Sequence, residues 1–240
     1  MKAVLCLILS ALMLFPSRAA AEDMFEEFEV RSERTKSVMT CRVFVPQKIT
    51  EDTALVVFLH GGGQMRSDAL EAVLPAAMIS GRVKDVPAVV AVPQIPRGIG
   101  EWSRVGDAVL EMADALTEKY GLDPKNSTLC GFSMGGIGAM DIANTFPGRF
   151  TRILVAAGRV NEGVRAASFS GSRVRFYVGK RDRDIRSDTV YGFEKKLKWA
   201  RVDVMICETD TDHPGTEEAV FTDPDILAWL FSPFMTDTGR

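Results

Sequence analysis

The sequence predicts an α/β protein built on an open, mostly parallel sheet with helices on both faces. Three observations carry this. Short, largely apolar runs recur at residues 54–59, 88–92, 127–130, 153–157, 174–178 and 202–207 and read as strands, those at 54–59 and 88–92 being continuous as expected of strands covered on both faces. Segments with helical spacing of apolar residues alternate with them. The length of 240 residues suits one such domain, and an apolar fraction of 46% with 25% charged residues is ordinary for a globular chain.

The first 21 residues read as a targeting segment. Lys2 supplies a positive end, Ala3 to Phe15 is almost wholly apolar, and Ala19-Ala20-Ala21 offers small residues for cleavage before Glu22. The apolar run is short for a membrane span. The expected division is a signal peptide at 1–21 and one domain at 22–240. The mature protein is then secreted or periplasmic, with no membrane span.

After that segment, residues 25–32 and 38–45 alternate in polarity around the polar turn Glu33 to Lys36, which predicts an antiparallel hairpin. The run 54–59 ends in His60-Gly61-Gly62-Gly63, and the run 88–92 ends at Pro93-Gln94. Val105, Val109, Met112, Leu116 and Tyr120 fall on one helical face, which predicts a helix over 104–120 stopped by Gly121. The run 127–130 leads into a small-residue helix from Met134 to about Phe146, closed by Pro147-Gly148. Val190, Phe193 and Leu197 mark a helix over 187–200, and Asp223-Pro224 opens a last helix through Trp229 and Phe231.

Partners and ligands are bounded by charge and residue counts. There are 29 basic and 32 acidic side chains, and loss of Lys2 and Arg18 makes the mature chain more acidic still. No basic stripe is present, which argues against nucleic acid as a partner. Two histidines and no Cys-x-x-Cys leave too few ligands for a zinc site of the usual kind. Cys41, Cys130 and Cys207 each sit in an apolar, strand-like run and are expected as buried, reduced thiols, although the export compartment permits a disulfide.

Chemistry concentrates at Gly131-Phe132-Ser133-Met134-Gly135. A Gly-x-Ser-x-Gly pentapeptide between a strand and a helix is the context of a nucleophile elbow, in which small flanking residues let the serine hydroxyl project from a strained turn. A serine hydroxyl needs a base, and the base needs an orienting acid. His60 runs straight into three glycines and reads as a backbone feature. That leaves His213, in the loop Thr211-Asp212-His213-Pro214-Gly215 after the last strand. Asp182 and Asp184 both follow the strand at 174–178. Asp182 is preferred because it lies in the first turn after the strand, where an acid can face His213. The oxyanion donors are the amide of Met134, at a helix N-terminus, and that of Gly62 or Gly63. Trp102 and Met65 are candidate pocket-wall residues, with ordinary packing the alternative.

These motifs resemble the α/β-hydrolase superfamily. Leu59-His60-Gly61-Gly62-Gly63, Tyr120-Gly121-Leu122-Asp123-Pro124, Gly131-Phe132-Ser133-Met134-Gly135-Gly136 and Phe146-Pro147-Gly148-Arg149-Phe150 are similar to the secreted polyhydroxybutyrate depolymerase and feruloyl esterase-like group with its "predicted peptidase" relatives. The resemblance implies an α/β-hydrolase fold and a serine triad working without metal or cofactor, in the chain order Ser133, Asp182, His213. One departure is the absence of the Gly-His pair of such relatives, since Asp212 precedes His213. The connection between the strands at 153–157 and 174–178 is too short for an inserted cap domain. The expected activity is therefore hydrolysis of a small-molecule or polymer-end carboxylic ester at an open site. A peptidase or acyltransferase on the same residues, and a non-catalytic binding protein of the same fold, are the alternatives.

Overall fold

The computed structural model describes residues 23–33, 36 and 38–233. The expected signal segment at 1–21 and residues 34, 35 and 37 at the hairpin turn lie outside the described residues. Strand β1 (Phe25–Arg31) pairs antiparallel with β2 (Val38–Phe44), from Phe25 opposite Phe44 to Arg31 opposite Val38. This is the expected hairpin. It joins β3 (Leu55–Leu59), β4 (Val89–Pro93), β5 (Ser127–Phe132), β6 (Arg152–Ala156), β7 (Arg173–Gly179) and β8 (Asp203–Thr209) in one open eight-stranded sheet. The order is β1-β2-β4-β3-β5-β6-β7-β8, and β2 alone runs against the others.

Strands β3 and β4 are apolar along their whole length because both faces are covered, and β5 and β6 are buried throughout with Ser127, Thr128 and Arg152 at their starts. On β3, Leu55, Val57 and Leu59 enter one core cluster while Val56 and Phe58 enter the other, the period of two that a strand imposes. The first cluster is closed by α2 (Gly106–Tyr120), α3 (Met134–Thr145) and α4 (Asp188–Trp199), through residues such as Val109, Met112, Met140 and Leu197. The second is closed by α1 (Val73–Ile79), α5 (His213–Phe221) and α6 (Pro224–Phe231), through Leu74, Phe221 and Leu230. Burying these side chains supplies the main driving force for the fold, about 1.5–3 kcal/mol for each large aliphatic or aromatic group.

Two elements differ from the sequence expectation. No helix was expected between residues 64 and 87, yet α1 forms there. Its seven residues, with Pro75 among them, are too few to declare a 3.6-residue period. His213 was expected in a loop and is instead the first residue of α5. Asp212 caps that helix, accepting the Gly215 amide at 3.0 Å, and Pro214 sits in the first turn where its missing N–H costs nothing.

Candidate active site

Ser133 occupies the turn between β5 and α3 with φ 53° and ψ −116°, a backbone conformation that a non-glycine residue adopts only under constraint. Two hydrogen bonds hold it. Its amide donates to the Ala156 carbonyl at 2.9 Å, and its carbonyl accepts the Ile137 amide at 3.0 Å. The flanking glycines are required by packing as well as by the turn. A Cβ on Gly131 would lie 2.7 Å from the Leu59 carbonyl oxygen, and one on Gly135 would overlap that same oxygen. The N-terminus of α3 is thus pressed against the end of β3.

The structure brings Ser133, His213 and Asp182 together across three connections of the sheet. His213 Nε2 lies 2.9 Å from Ser133 Oγ, and His213 Nδ1 lies 2.7 Å from Asp182 Oδ2. The consistent tautomer has Nδ1–H donating to the carboxylate and Nε2 accepting from the serine hydroxyl. The second carboxylate oxygen of Asp182 accepts the amides of Asp184 at 2.9 Å and Ile185 at 3.0 Å. Asp182 is therefore almost wholly buried, with both oxygens engaged. Asp184 contributes its backbone to this arrangement, and its side chain is exposed. The Phe132 ring packs 4.7 Å from the imidazole.

Contacts that carry no signal in the sequence align the loop of Asp182 with the start of α5, where His213 sits. Lys180 and Arg181 donate their amides to the Thr209 and Thr211 carbonyls, each at 2.9 Å. The hydroxyls of Thr209, Thr211 and Thr216 form a chain at 2.6 and 2.8 Å, and Thr216 Oγ1 donates to the Asp212 carbonyl at 2.8 Å. A Cβ on Gly179 would collide with the Thr216 hydroxyl, so the end of β7 and the first turn of α5 meet at closest approach.

The glycine run follows β3, the neighbour of β5 in the sheet, and so lies beside the elbow. Gly61 packs on the Phe132 ring, where a Cβ would come within 2.9 Å of Cδ1. Gly62 and Gly63 open a short 3-10 helix (Gly62–Arg66) and face open space. Steric need for glycine falls on Gly61, while Gly62 and Gly63, the expected oxyanion donors, leave their backbone accessible. Met134 is the first residue of α3, so its amide has no acceptor within the helix and lies at the positive end of the helix dipole.

His60 is wholly buried and scaffolds this loop. Its Nδ1–H donates to the Gly61 carbonyl at 2.7 Å, and its Nε2 accepts from the Ile95 amide and the Gln94 side chain, each at 3.3 Å. Burial pushes its pKa below the ordinary imidazole range, which keeps this neutral tautomer. Trp102 Nε1 donates to the His60 carbonyl at 3.1 Å. Gln94 extends the network, donating to the Gln64 carbonyl at 2.9 Å and accepting the Ala69 amide at 2.8 Å. Trp102 is wholly buried and Met65 packs against the same core cluster, so packing is the role of both.

Beside His213 the surface forms an open cleft of about 400 Å³ lined by Arg181, Arg183, Asp184, Asp212 and Pro214. A larger one, about 520 Å³, lies at the opposite end of the sheet, between Thr53, Pro87, Leu227 and Phe231. Asp182, Asp184 and His213 form the one cluster of possible metal ligands among the described residues. Both oxygens of Asp182 and both ring nitrogens of His213 are already engaged by protein groups, so the cluster does not fit a metal. Cys41, Cys130 and Cys207 are free, and burial pushes the thiols of Cys41 and Cys130 well up.

A serine on a strand–turn–helix elbow, at the carboxyl end of a parallel sheet and hydrogen-bonded to histidine, defines a protein of the α/β-hydrolase class. Comparison with known proteins agrees. A family profile described as "Putative esterase" matches residues 32–223, and the chain belongs to that esterase family of enzymes. No curated protein sequence matches the chain. Among solved structures, a thermostable esterase is 22% identical with a TM-score of 0.72, covering 88% of this chain, which spans 63% of that protein's length. An S-formylglutathione hydrolase from Agrobacterium tumefaciens is 22% identical with a TM-score of 0.62, covering 85% of this chain and 93% of its own. A ferulic acid esterase from Anaeromyces mucronatus is 15% identical with a TM-score of 0.57, covering 85% and 91%. At these identities the likeness is one of fold. Among the described residues no helix is long and apolar enough to cross a membrane.

Proposed function

We propose that this esterase hydrolyses carboxylic esters outside the cytoplasm, with Ser133, His213 and Asp182 as its reacting groups and residues 1–21 as its export signal. The observation that supports the reading best is the continuous hydrogen-bonded line from Ser133 Oγ through His213 to Asp182, at 2.9 and 2.7 Å.

Ser133 Oγ attacks the ester carbonyl carbon as its proton passes to His213 Nε2. Asp182 holds the imidazole in the required tautomer and balances the charge of the imidazolium. The carbonyl oxygen becomes an anion and takes hydrogen bonds from the amides of Met134 and of Gly62 or Gly63. Such a donor is worth on the order of 3 kcal/mol in the transition state. The tetrahedral adduct collapses, the C–O bond to the alcohol breaks, and the alcohol leaves with the proton from His213. Water then attacks the acyl-enzyme with His213 as base, and the acid departs as Ser133 regains its proton. The open cleft beside His213 suits a soluble ester or the exposed end of a polymer.

The test is labelling of the mature protein with a fluorophosphonate, read by mass spectrometry, together with its hydrolysis of nitrophenyl esters of increasing chain length. A single adduct on Ser133 that is lost in His213→Ala, and loss of hydrolysis in a folded Ser133→Ala, are expected. Folded protein that takes no adduct and cleaves no ester refutes the reading. Sequencing the exported protein's N-terminus tests the signal, with Glu22 expected first.

A further inference from the structure

We propose that Glu217 is a positioning residue for His213: its buried carboxylate ties the helix that carries the imidazole to the segment following the glycine loop, and places a buried negative charge one helical turn behind the imidazolium. The proposal rests on the reading of Ser133 and His213 as the reacting pair.

Glu217 lies on α5 four residues after His213, so the two share one side of the helix a turn apart. It is only 7% exposed. A carboxylate at that depth ordinarily sits in a salt bridge. Among the described residues Glu217 has none, whereas its neighbour Glu218, half-exposed, pairs with Arg82. Its hydrogen bond comes from the Val73 amide, at 3.3 Å. Val73 is the first residue of α1, where an amide has no partner inside the helix, and Ala72 at the capping position has no side chain to offer. Glu217 therefore supplies from α5 the acceptor that α1 lacks. The chain runs from Gly61 through the 3-10 turn into α1, so this bond links the oxyanion side of the site to the base.

The electrostatics support a role beyond capping. Burial pushes the Glu217 carboxyl up to about 7, against an opposing pull from the Val73 amide and from His213. The other ionisable groups around the start of α5 are engaged or exposed: Asp212 accepts the Gly215 amide, and Asp184, within 4.8 Å of a His213 ring nitrogen, lies exposed. Glu218 on the same helix is held by Arg82. Tyr177, on the β7 strand beneath α5, is pushed up to about 12 by burial and stays neutral. Asp223, at the start of α6, accepts the amides of Asp225 and Ile226. Hence Glu217 is the buried carboxylate on the helix side of His213, whereas Asp184 is exposed to solvent that screens it. Asp182 faces the ring directly and Glu217 lies a helical turn behind it. As pH rises through about 7, Glu217 ionises, strengthens its bond to Val73 and favours the imidazolium formed when Ser133 attacks.

The experiment uses Glu217→Gln, which keeps an acceptor for Val73 and removes the charge. We would measure kcat and KM on a nitrophenyl ester from about pH 5 to about pH 9, alongside the rate of fluorophosphonate labelling. The expected result is a kcat about fivefold lower on the alkaline side, with KM unchanged within about twofold and labelling slowed in parallel. The acid limb should also lose the component near pH 7. A Gln variant with the wild-type kcat and an unchanged pH profile overturns the proposal, whatever its thermal stability. Wild-type protein that neither labels nor turns over would instead refute the assignment of Ser133 and His213. Glu217→Asp retains charge but shortens the reach to Val73. Recovery of the pH 7 component in this variant, with kcat only partly restored, is expected; absence of the component in a folded Asp variant counts against the electrostatic role.

Discussion

Gly135, the second residue of α3, sits so close beneath Leu59 that a Cβ on it would overlap the Leu59 carbonyl oxygen. The glycine two residues after the serine is therefore demanded by the neighbouring strand β3 as much as by the turn. Gly135→Ala must push α3 away from the sheet and, with it, the Met134 amide. The expected cost is about 3 kcal/mol or more in urea unfolding, since the obstacle is backbone and cannot rotate away. Gly62→Ala is the control. Its Cβ meets nothing within 4 Å, so stability should change by less than about 0.5 kcal/mol. Equal losses in the two variants would contradict this packing account.

Asp182 and Asp184 are separable by amide substitution. Asp182→Asn keeps the shape but can turn an NH₂ toward His213 Nδ1, stabilising the wrong tautomer, so kcat should fall by about 10³–10⁴. Asp184 reaches the site through its backbone amide, and Asp184→Asn should leave kcat within about threefold. Steady-state kinetics on one ester checks both, and the reverse ranking would make Asp184 the orienting acid.

What the sequence disclosed follows from how each feature is encoded. Leu55–Leu59 and Val89–Val92 are legible as strands because burial on two faces leaves no polar position. Ser133 is legible because strain and close packing demand glycines on both sides, and His213 because the chain offers only two histidines. The choice between Asp182 and Asp184 is a matter of loop conformation. The turn closed by the Asp182 amide on the Gly179 carbonyl brings the Asp182 carboxylate to the imidazole, and nothing in composition reports that turn. The first turn of α5 was hidden because Pro214-Gly215 reads as a break, when an aspartate cap makes the same residues a helix start. Gln94, Thr211, Thr216 and Glu217 were unreadable for another reason. Each acts through a partner distant in the chain or through a loop conformation that topology creates.

His60 should act on the site through the loop it holds, without touching the reacting atoms. His60→Ala leaves the buried Ile95 amide and Gly61 carbonyl without these partners and opens a void beside Trp102, for an expected cost of about 2–4 kcal/mol. Because the folded pKa of His60 lies below its unfolded value, the unfolded chain binds the extra proton in acid. The wild type should therefore lose stability as pH falls below about 6.5, and a folded His60→Gln variant should lose less over the same range. Thermal melting at successive pH values measures the difference; parallel curves would show that His60 is not buried neutral.

Glu217 should leave the opposite signature. Its folded pKa is raised from 4.5 to about 7, so the folded protein holds a proton that the unfolded chain releases between these values. Stability from this group is complete below about pH 4.5 and is lost as pH rises through about 7. The shift converts to about 3 kcal/mol as an upper bound, at 1.36 kcal/mol for each pKa unit. Glu217→Gln, uncharged throughout, should match the wild type near pH 4.5 and exceed it in melting temperature by pH 8, by several degrees for a domain of this size. A more stable variant that is also slower would place Glu217 among residues whose buried charge is kept for catalysis at the expense of the fold. A variant whose stability tracks the wild type across this pH range would mean that the carboxylate is not desolvated, and the electrostatic part of its proposed influence on His213 would fall with it.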